Sequence, residues 1–225
     1  MNEARGLARW GVSWGIAWGI APSLCLVSSV CLAAEQPLRE KTQVGLGLNY
    51  GYYLGDDEEI PNTEGPGAHG VAGYTLGLGL YIGGELNYFL GRTETHEISG
   101  VDVDIAWSMM QFGAELGYDV GLGWGMVLRP KLGVGYARVR IEADAEDVLG
   151  PGADFHDSDT YGGFVLPLGM DWIGSFGERW FWAARFRYGY TTLTVDVRDR
   201  NLQKVGETDK HASGIVFGLG GGLRF

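Results

Sequence analysis

Residues 215 to 225 read IVFGLGGGLRF, and this stretch decides the fold. Ile215, Phe217, Leu219, Leu223 and Phe225 recur at every second position, with Val216, Gly218, Gly220, Gly222 and Arg224 between them. In a strand, that period sends the two sets to opposite faces. One face is apolar and the other nearly bare. Glycine weakens an ordinary solvated surface strand, so a bare face suits the inside of a narrow closed barrel whose apolar face meets lipid.

The same alternation recurs upstream. Eight runs are predicted: Thr42–Leu54, Val71–Ile82, Glu85–Arg92, Val101–Val120, Met126–Ile141, Tyr161–Ile173, Trp180–Val195 and His211–Phe225. The fourth shows an apparent change of phase near Ser108–Met110, which predicts a bulge. Turns are expected at Gly83-Gly84, Gly121–Gly125 and Gly174–Arg179. Polar loops are expected at Gly55–Gly70, Thr93–Gly100, Glu142–Thr160 and Asp196–Lys210. The connections after runs one, three, five and seven are long; those after two, four and six are short and glycine-rich. Eight alternating runs with this asymmetry predict an all-β fold, an eight-stranded antiparallel transmembrane β-barrel, because an open sheet leaves unpaired backbone in lipid. Both termini then lie at the short-turn, periplasmic end.

The sequence has 225 residues, 39 of them glycine, and a formal net charge of -11. Its mean hydropathy of -0.02 is uninformative, since lumen-facing residues dilute the lipid-facing ones. The acidic balance excludes a phosphate-backbone surface, so no nucleic acid partner is expected. Residues 1–34 read as a cleavable signal peptide. Arg5 and Arg9 make a basic start, an apolar stretch follows, and small residues at Cys31-Leu32-Ala33 offer a cleavage site after Ala33 or Ala34. Both cysteines, Cys25 and Cys31, lie in this segment. Residues 35–41 form a short periplasmic segment and 42–225 the barrel, one domain.

Aromatic residues gather where interfacial girdles belong: Tyr52, Tyr74, Trp107, Tyr136, Tyr161 and Tyr190 towards the long loops, and Tyr118, Trp124, Trp172, Trp180, Trp182 and Phe225 towards the short turns. The chain from Thr42 to Phe225 thus resembles the OmpA/OmpX-type eight-stranded outer-membrane barrels. That resemblance implies the outer membrane of a Gram-negative bacterium, with outer-membrane lipids, lipopolysaccharide and the barrel assembly machinery as partners and a monomeric state. It also implies that Phe217, Leu219, Leu223 and the terminal Phe225 form the assembly signal.

The sharpest chemical feature is charge on the inward face. Glu85, Glu115, Asp119 and Asp171 meet Arg129, Lys131, Arg185, Arg187 and Arg224, nearly balanced. With the turn centred on Gly123, Glu115 lies opposite Lys131, Arg129 sits diagonally between Glu115 and Asp119, and Asp171 is diagonal to Arg185. Buried charges need partners, and eight strands enclose just enough room for packed side chains, so a structural plug is expected rather than an ion path.

Other chemistry is weaker. The loop carboxylates Asp56, Asp57, Glu58, Glu59 and Glu64, and Glu142, Asp144, Glu146, Asp147, Asp154, Asp157 and Asp159, read as solvated surface. Counted from Asp157, Gly162 fits a calcium loop but Leu168 stands where its glutamate belongs, and no metal site is expected. His156-Asp157-Ser158 and His211-Ala212-Ser213 match the His-x-Ser spacing of lipid A deacylases, which are also eight-stranded barrels. The second has no later acid to orient the histidine. No catalytic residues and no cofactors are therefore expected. The function expected is non-enzymatic anchoring of acidic surface loops, serving envelope integrity or surface contact. A narrow channel or hydrophobic-solute passage is the alternative, and a lipid-modifying enzyme ranks below it.

Overall fold

The computed structural model describes residues 41–55, 63–91, 93–98, 101–145, 155–198 and 204–225. All of these belong to the second of the two units into which the chain divides, Glu35–Phe225. The predicted signal peptide, Cys25 and Cys31, Asp56 to Glu59, and Glu146, Asp147 and Asp154 lie outside the described residues.

Among the described residues ten strands form: β1 (Lys41–Gly55), β2 (Thr63–Thr75), β3 (Leu80–Leu90), β4 (Glu94–Ile98), β5 (Val101–Tyr118), β6 (Val120–Gly123), β7 (Met126–Ala145), β8 (Phe155–Phe176), β9 (Trp180–Arg198) and β10 (Lys204–Arg224). They make eight staves, because β4 continues β3 along β5 and β6 continues β5 along β7. Every pairing is antiparallel. The order β5-β3-β2-β1-β10-β9-β8-β7 is closed by β5 pairing with β7, which leaves no edge among the staves. β1 runs against β10 from Gln43↔Arg224 to Gly55↔Ala212, so first and last strands seal one another. Thr42 and Phe225 exchange both backbone bonds at the mouth, at 3.1 and 2.9 Å.

The outward set on β1, from Val44 through Leu46, Leu48, Tyr50 and Tyr52 to Leu54, is exposed throughout. Ten steps of ~3.3 Å, tilted by about 40°, give an apolar band roughly 25 Å tall, the thickness such barrels present to lipid. On the terminal strand Phe217, Leu219 and Phe225 face out, Val216 and Arg224 are buried, and Gly214, Gly218, Gly220 and Gly222 line the lumen. Those glycines make space. A Cβ on Gly222 would stand 2.8 Å from the Phe181 ring, one on Gly214 would run into the Tyr53 ring, and one on Gly218 or Gly220 would come just over 3 Å from His69.

Several boundaries differ from the sequence reading. The turn between the second and third staves is Leu76–Gly79, not Gly83-Gly84. It is closed by Gly79 N–H to Leu76 O at 2.8 Å and by Gly79 at φ 87°, while Gly83 and Gly84 lie within β3. The Leu-Gly-Leu-Gly run keeps the strand period through the turn, which hides it. Tyr74 accordingly sits at the short-turn end. No register shift occurs at Ser108–Met110: β5 pairs without interruption from Val103 to Gly117 with β7. The apparent slip arises because Trp107 turns into the barrel, where it packs against the cluster of Tyr53, Phe89, Met109 and Val216. Tyr161 also points inward, beside Asp159. These two are not girdle residues. The other girdle aromatics face out, from Tyr190 at 37% exposure to Trp124 at 95%.

Much of what reads as loop is strand. Thr63–Gly70 runs within the apolar band, paired with Leu46–Tyr53 of β1, whereas Glu94–Ile98, Glu142–Ala145, Phe155–Thr160 and Lys204–Lys210 continue the staves past it. Here the polarity inverts: Asp104, Arg138, Arg140, Thr160, Thr194 and Asp209 face out, while Trp107, Val139, Ile141, Leu193 and Ala212 face in. Outside the membrane a barrel is an ordinary water-soluble sheet with an apolar core.

Candidate functional site: the charged lumen

The nine charged residues singled out on the inward face all project into the lumen and are between 0 and 7% exposed. Eight of them form two linked groups. Near the short turns, Arg129 grips Asp119 with both prongs of its guanidinium, Nε to Oδ1 at 2.5 Å and Nη2 to Oδ2 at 3.0 Å. Nη2 also reaches Gln43 Oε1 at 3.1 Å and Thr75 Oγ1 at 3.3 Å, and the guanidinium lies 3.8 Å above the Tyr81 ring. Thr75 in turn donates to Asp119 Oδ2 at 3.2 Å and accepts from Gln43 Nε2 at 2.9 Å.

The second group centres on Glu85 and Lys131. Lys131 Nζ lies 3.0 Å from Glu115, 3.0 Å from Asp171 and 3.3 Å from Glu85. Arg185 reaches Asp171 at 3.2 Å and Glu85 at 2.8 Å. Arg187 pairs with Glu115 at 2.5 Å and also with Glu85. Glu85 therefore faces three cations, and Asn87 donates to it at 2.5 Å. The chain extends to Asn49, which donates to Asn87 at 3.0 Å. Such pairing is what allows charges to stay ionised out of water.

Arg224 does not join. It binds the β8–β9 turn, donating to Glu178 O at 2.7 Å, Gly177 O at 2.6 Å and Ser175 Oγ at 2.5 Å. The expected direct opposition of Glu115 and Lys131 is also corrected: Glu115 faces Gly133 across the ladder and Lys131 faces Gly117, so their contact is diagonal. The hairpin turns on Trp124 (φ 54°) and Gly125 (φ 75°), two left-handed residues as a type I′ turn requires, and a register shift between Gly121 and Gly123 completes it. The sequence reading centred it one residue too early. Asp171, conversely, stands directly opposite Arg185 rather than diagonal to it.

Apolar layers bound the network at both ends. Val127, Ile173 and Phe181 pack beneath it, and Tyr53, Phe89, Met109 and Val216 above it, with Tyr53 and Phe89 edge-to-face at 5.5 Å. Between network and upper layer a cavity of about 10 Å³ beside Asn87, Gln111 and Arg187 has room for one water. Gln43, Thr75, Asn87 and His69 are lumen residues that the sequence reading did not single out. Gln43 falls at a strand end where parity alone carries little weight, Thr75 has inward parity in the run Val71–Ile82 but carries no charge to mark it, and His69 falls in the stretch Gly55–Gly70 that reads as a loop.

The side chain of His156 lies outside the described residues, and among the described residues His211 and Ser213 assemble no relay. His211 stacks on Tyr190 at 5.4 Å, its Nδ1 has no hydrogen-bond partner among the described residues, and Asp209 on the same strand accepts from Thr194 at 3.1 Å. Among the described residues no three His, Cys, Asp or Glu side chains gather as a metal site.

A closed ring of eight antiparallel staves with lipid-facing apolar residues outside and a packed ionic lumen defines an outer-membrane β-barrel. Residues 23–225 match the family model described as "Outer membrane protein beta-barrel domain", and the chain belongs to that family, in the outer membrane of a Gram-negative bacterium. No curated protein matches the sequence. Among solved structures it is similar to a major outer membrane protein of Thermus thermophilus, at 13% identity, 81% of this chain, 99% of that chain and a TM-score of 0.51. It is also similar to Ail, the attachment invasion locus protein of Yersinia pestis, at 13% identity, 83% of this chain, 99% of that chain and 0.49. For OprG of Pseudomonas aeruginosa the values are 12%, 85%, 99% and 0.44.

Proposed function

We propose that the chain is a plugged, non-enzymatic barrel that holds acidic segments at the cell surface, serving envelope integrity or surface contact. The observation that carries this reading is the lumen: a network of eight paired charges, sealed between two apolar layers, fills the space a conducting path would need. Purified protein in planar bilayers is expected to give no resolvable conductance steps. A reproducible unit conductance in the unaltered protein would overturn the plug.

Passage of a small hydrophobic solute is a second reading, favoured by the apolar inner lining above the plug at Trp107, Val139 and Leu193. Uptake of an aromatic solute into protein-bearing vesicles, at a rate above that of empty vesicles, would select it. Two further proposals concern biogenesis. The outward row Phe217, Leu219, Leu223 and Phe225 is read by the assembly machinery, and cleavage after Ala33 or Ala34 leaves a cysteine-free product. Recovery of Met1 by amino-terminal sequencing of the membrane-embedded protein would sink the second.

A further inference from the structure

On the outer wall, three rows of side chains cross β3, β5 and β7 side by side. The upper row joins Phe112 to Tyr136 and continues to Phe164 on β8; the lower joins Leu116 to Leu132. Between them the row is Gly84, Ala114 and Val134, all small. The result is an open apolar groove of about 560 Å³ floored by these small residues and walled by aromatic rings. Two residues past Tyr136 on the same outward face of β7 stands Arg138, and two further Arg140, both exposed. Arg140 spends one contact on Glu142 at 2.7 Å, and Arg138 makes no ion pair among the described residues. In a chain of net charge -11, two adjacent outward guanidiniums sit where the apolar band ends, directly over a groove in it.

We infer that this wall binds one phosphate-bearing lipid of the outer leaflet, with an acyl chain in the groove and the phosphate on Arg138 and Arg140. Guanidinium presents a planar fork that matches phosphate oxygens, and its apolar stem can lie along the wall while the head stays at the interface. Tyr136 between groove and arginines marks that interface. The inference rests on the long-loop end facing the outer leaflet and is independent of whether the lumen conducts.

The test uses the full protein in phosphatidylcholine vesicles containing either lipid A with both phosphates or the same lipid A after phosphate removal. Native mass spectrometry then reads the lipid retained. The unaltered protein is expected to retain phosphorylated lipid A at least tenfold more than the dephosphorylated form. Arg138→Gln with Arg140→Gln should abolish that preference, and Ala114→Phe, which fills the groove with a residue lipid tolerates, should lower retention of both. Heat-modifiable gel mobility establishes that each variant is folded. Equal retention of the two lipids by the unaltered protein, or an undiminished preference in the double glutamine variant, overturns the phosphate site; retention unchanged by Ala114→Phe overturns the groove.

Discussion

At membrane level the inner wall carries Glu85, Glu115, Asp171, Lys131, Arg185 and Arg187 and the outer wall Leu46, Leu132 and Phe164; a few residues higher on the same strands, the inner wall carries Trp107, Val139 and Leu193 and the outer wall Asp104, Arg140 and Thr194. The strands run on without a break, so the backbone does not mark the change. What changes is the solvent outside. Where lipid surrounds the wall, apolar side chains gain nothing by turning inward and the lumen takes charges that pair; where water surrounds it, the apolar set turns in and forms a core.

The largest expected effect lies in the charged storey. Glu85→Ala removes the carboxylate shared by Lys131, Arg185 and Arg187, leaving buried cations short of a partner, at a cost of ~3–5 kcal/mol. Glu142→Ala strips Arg140 of its partner where the two side chains are 36 and 54% exposed, and should cost about 0–1 kcal/mol. Urea unfolding in lipid vesicles measures both. Similar losses would mean that the network is open to water.

The outer wall gives the next effect. Leu132→Arg, in mid-band, should cost ~2–4 kcal/mol, because the charge enters hydrocarbon. Thr160→Arg, on the same face of β8 above the band, should change stability by no more than about 0.5 kcal/mol. A penalty at Thr160 as large as that at Leu132 would place the membrane boundary higher than the inversion of polarity does. Deleting Phe225 is expected to lower the yield of folded barrel in the outer membrane with export across the inner membrane unchanged. Heat-modifiable mobility on gels reads the yield, and an unaltered yield counts against the terminal strand as the assembly signal.

The sequence made the membrane-level storey legible and hid the upper one. Parity along a strand survives a misplaced turn, so every lumen charge was assigned to its face even though the second hairpin turns at Leu76–Gly79. Polar residues on the outside of Phe155–Thr160 and Lys204–Lys210 read as loop, since nothing in the sequence says that the wall has left the membrane. Partnership was legible only in part. Glu85 and Arg187 are 102 residues apart and meet because the ring closes, and the one-residue difference in the β6–β7 turn moved Lys131 from opposite Glu115 to diagonal.

Arg224 supplies the smallest effect among the lumen charges and separates burial from dependence. Like Glu85 it is nearly inaccessible, yet its partners are the carbonyls of Gly177 and Glu178 and the Ser175 hydroxyl, all at the mouth of the barrel. Arg224→Ala loses hydrogen bonds from a charged donor, each worth ~1.5–3 kcal/mol when the group left behind stays dry. Here the abandoned groups are two carbonyls and a hydroxyl, with the Glu178 carboxylate nearby, and they lie on an exposed turn that water reaches, so water replaces most of what is lost and a net cost of about 1–2 kcal/mol is expected. Glu85→Ala leaves cations behind in a sealed layer, where no such replacement exists. Unfolding of the two variants under identical conditions compares them directly. If Arg224→Ala costs as much as Glu85→Ala, the β8–β9 turn is sealed like the lumen, and the apolar layer of Val127, Ile173 and Phe181 is not where the barrel ends its dry interior.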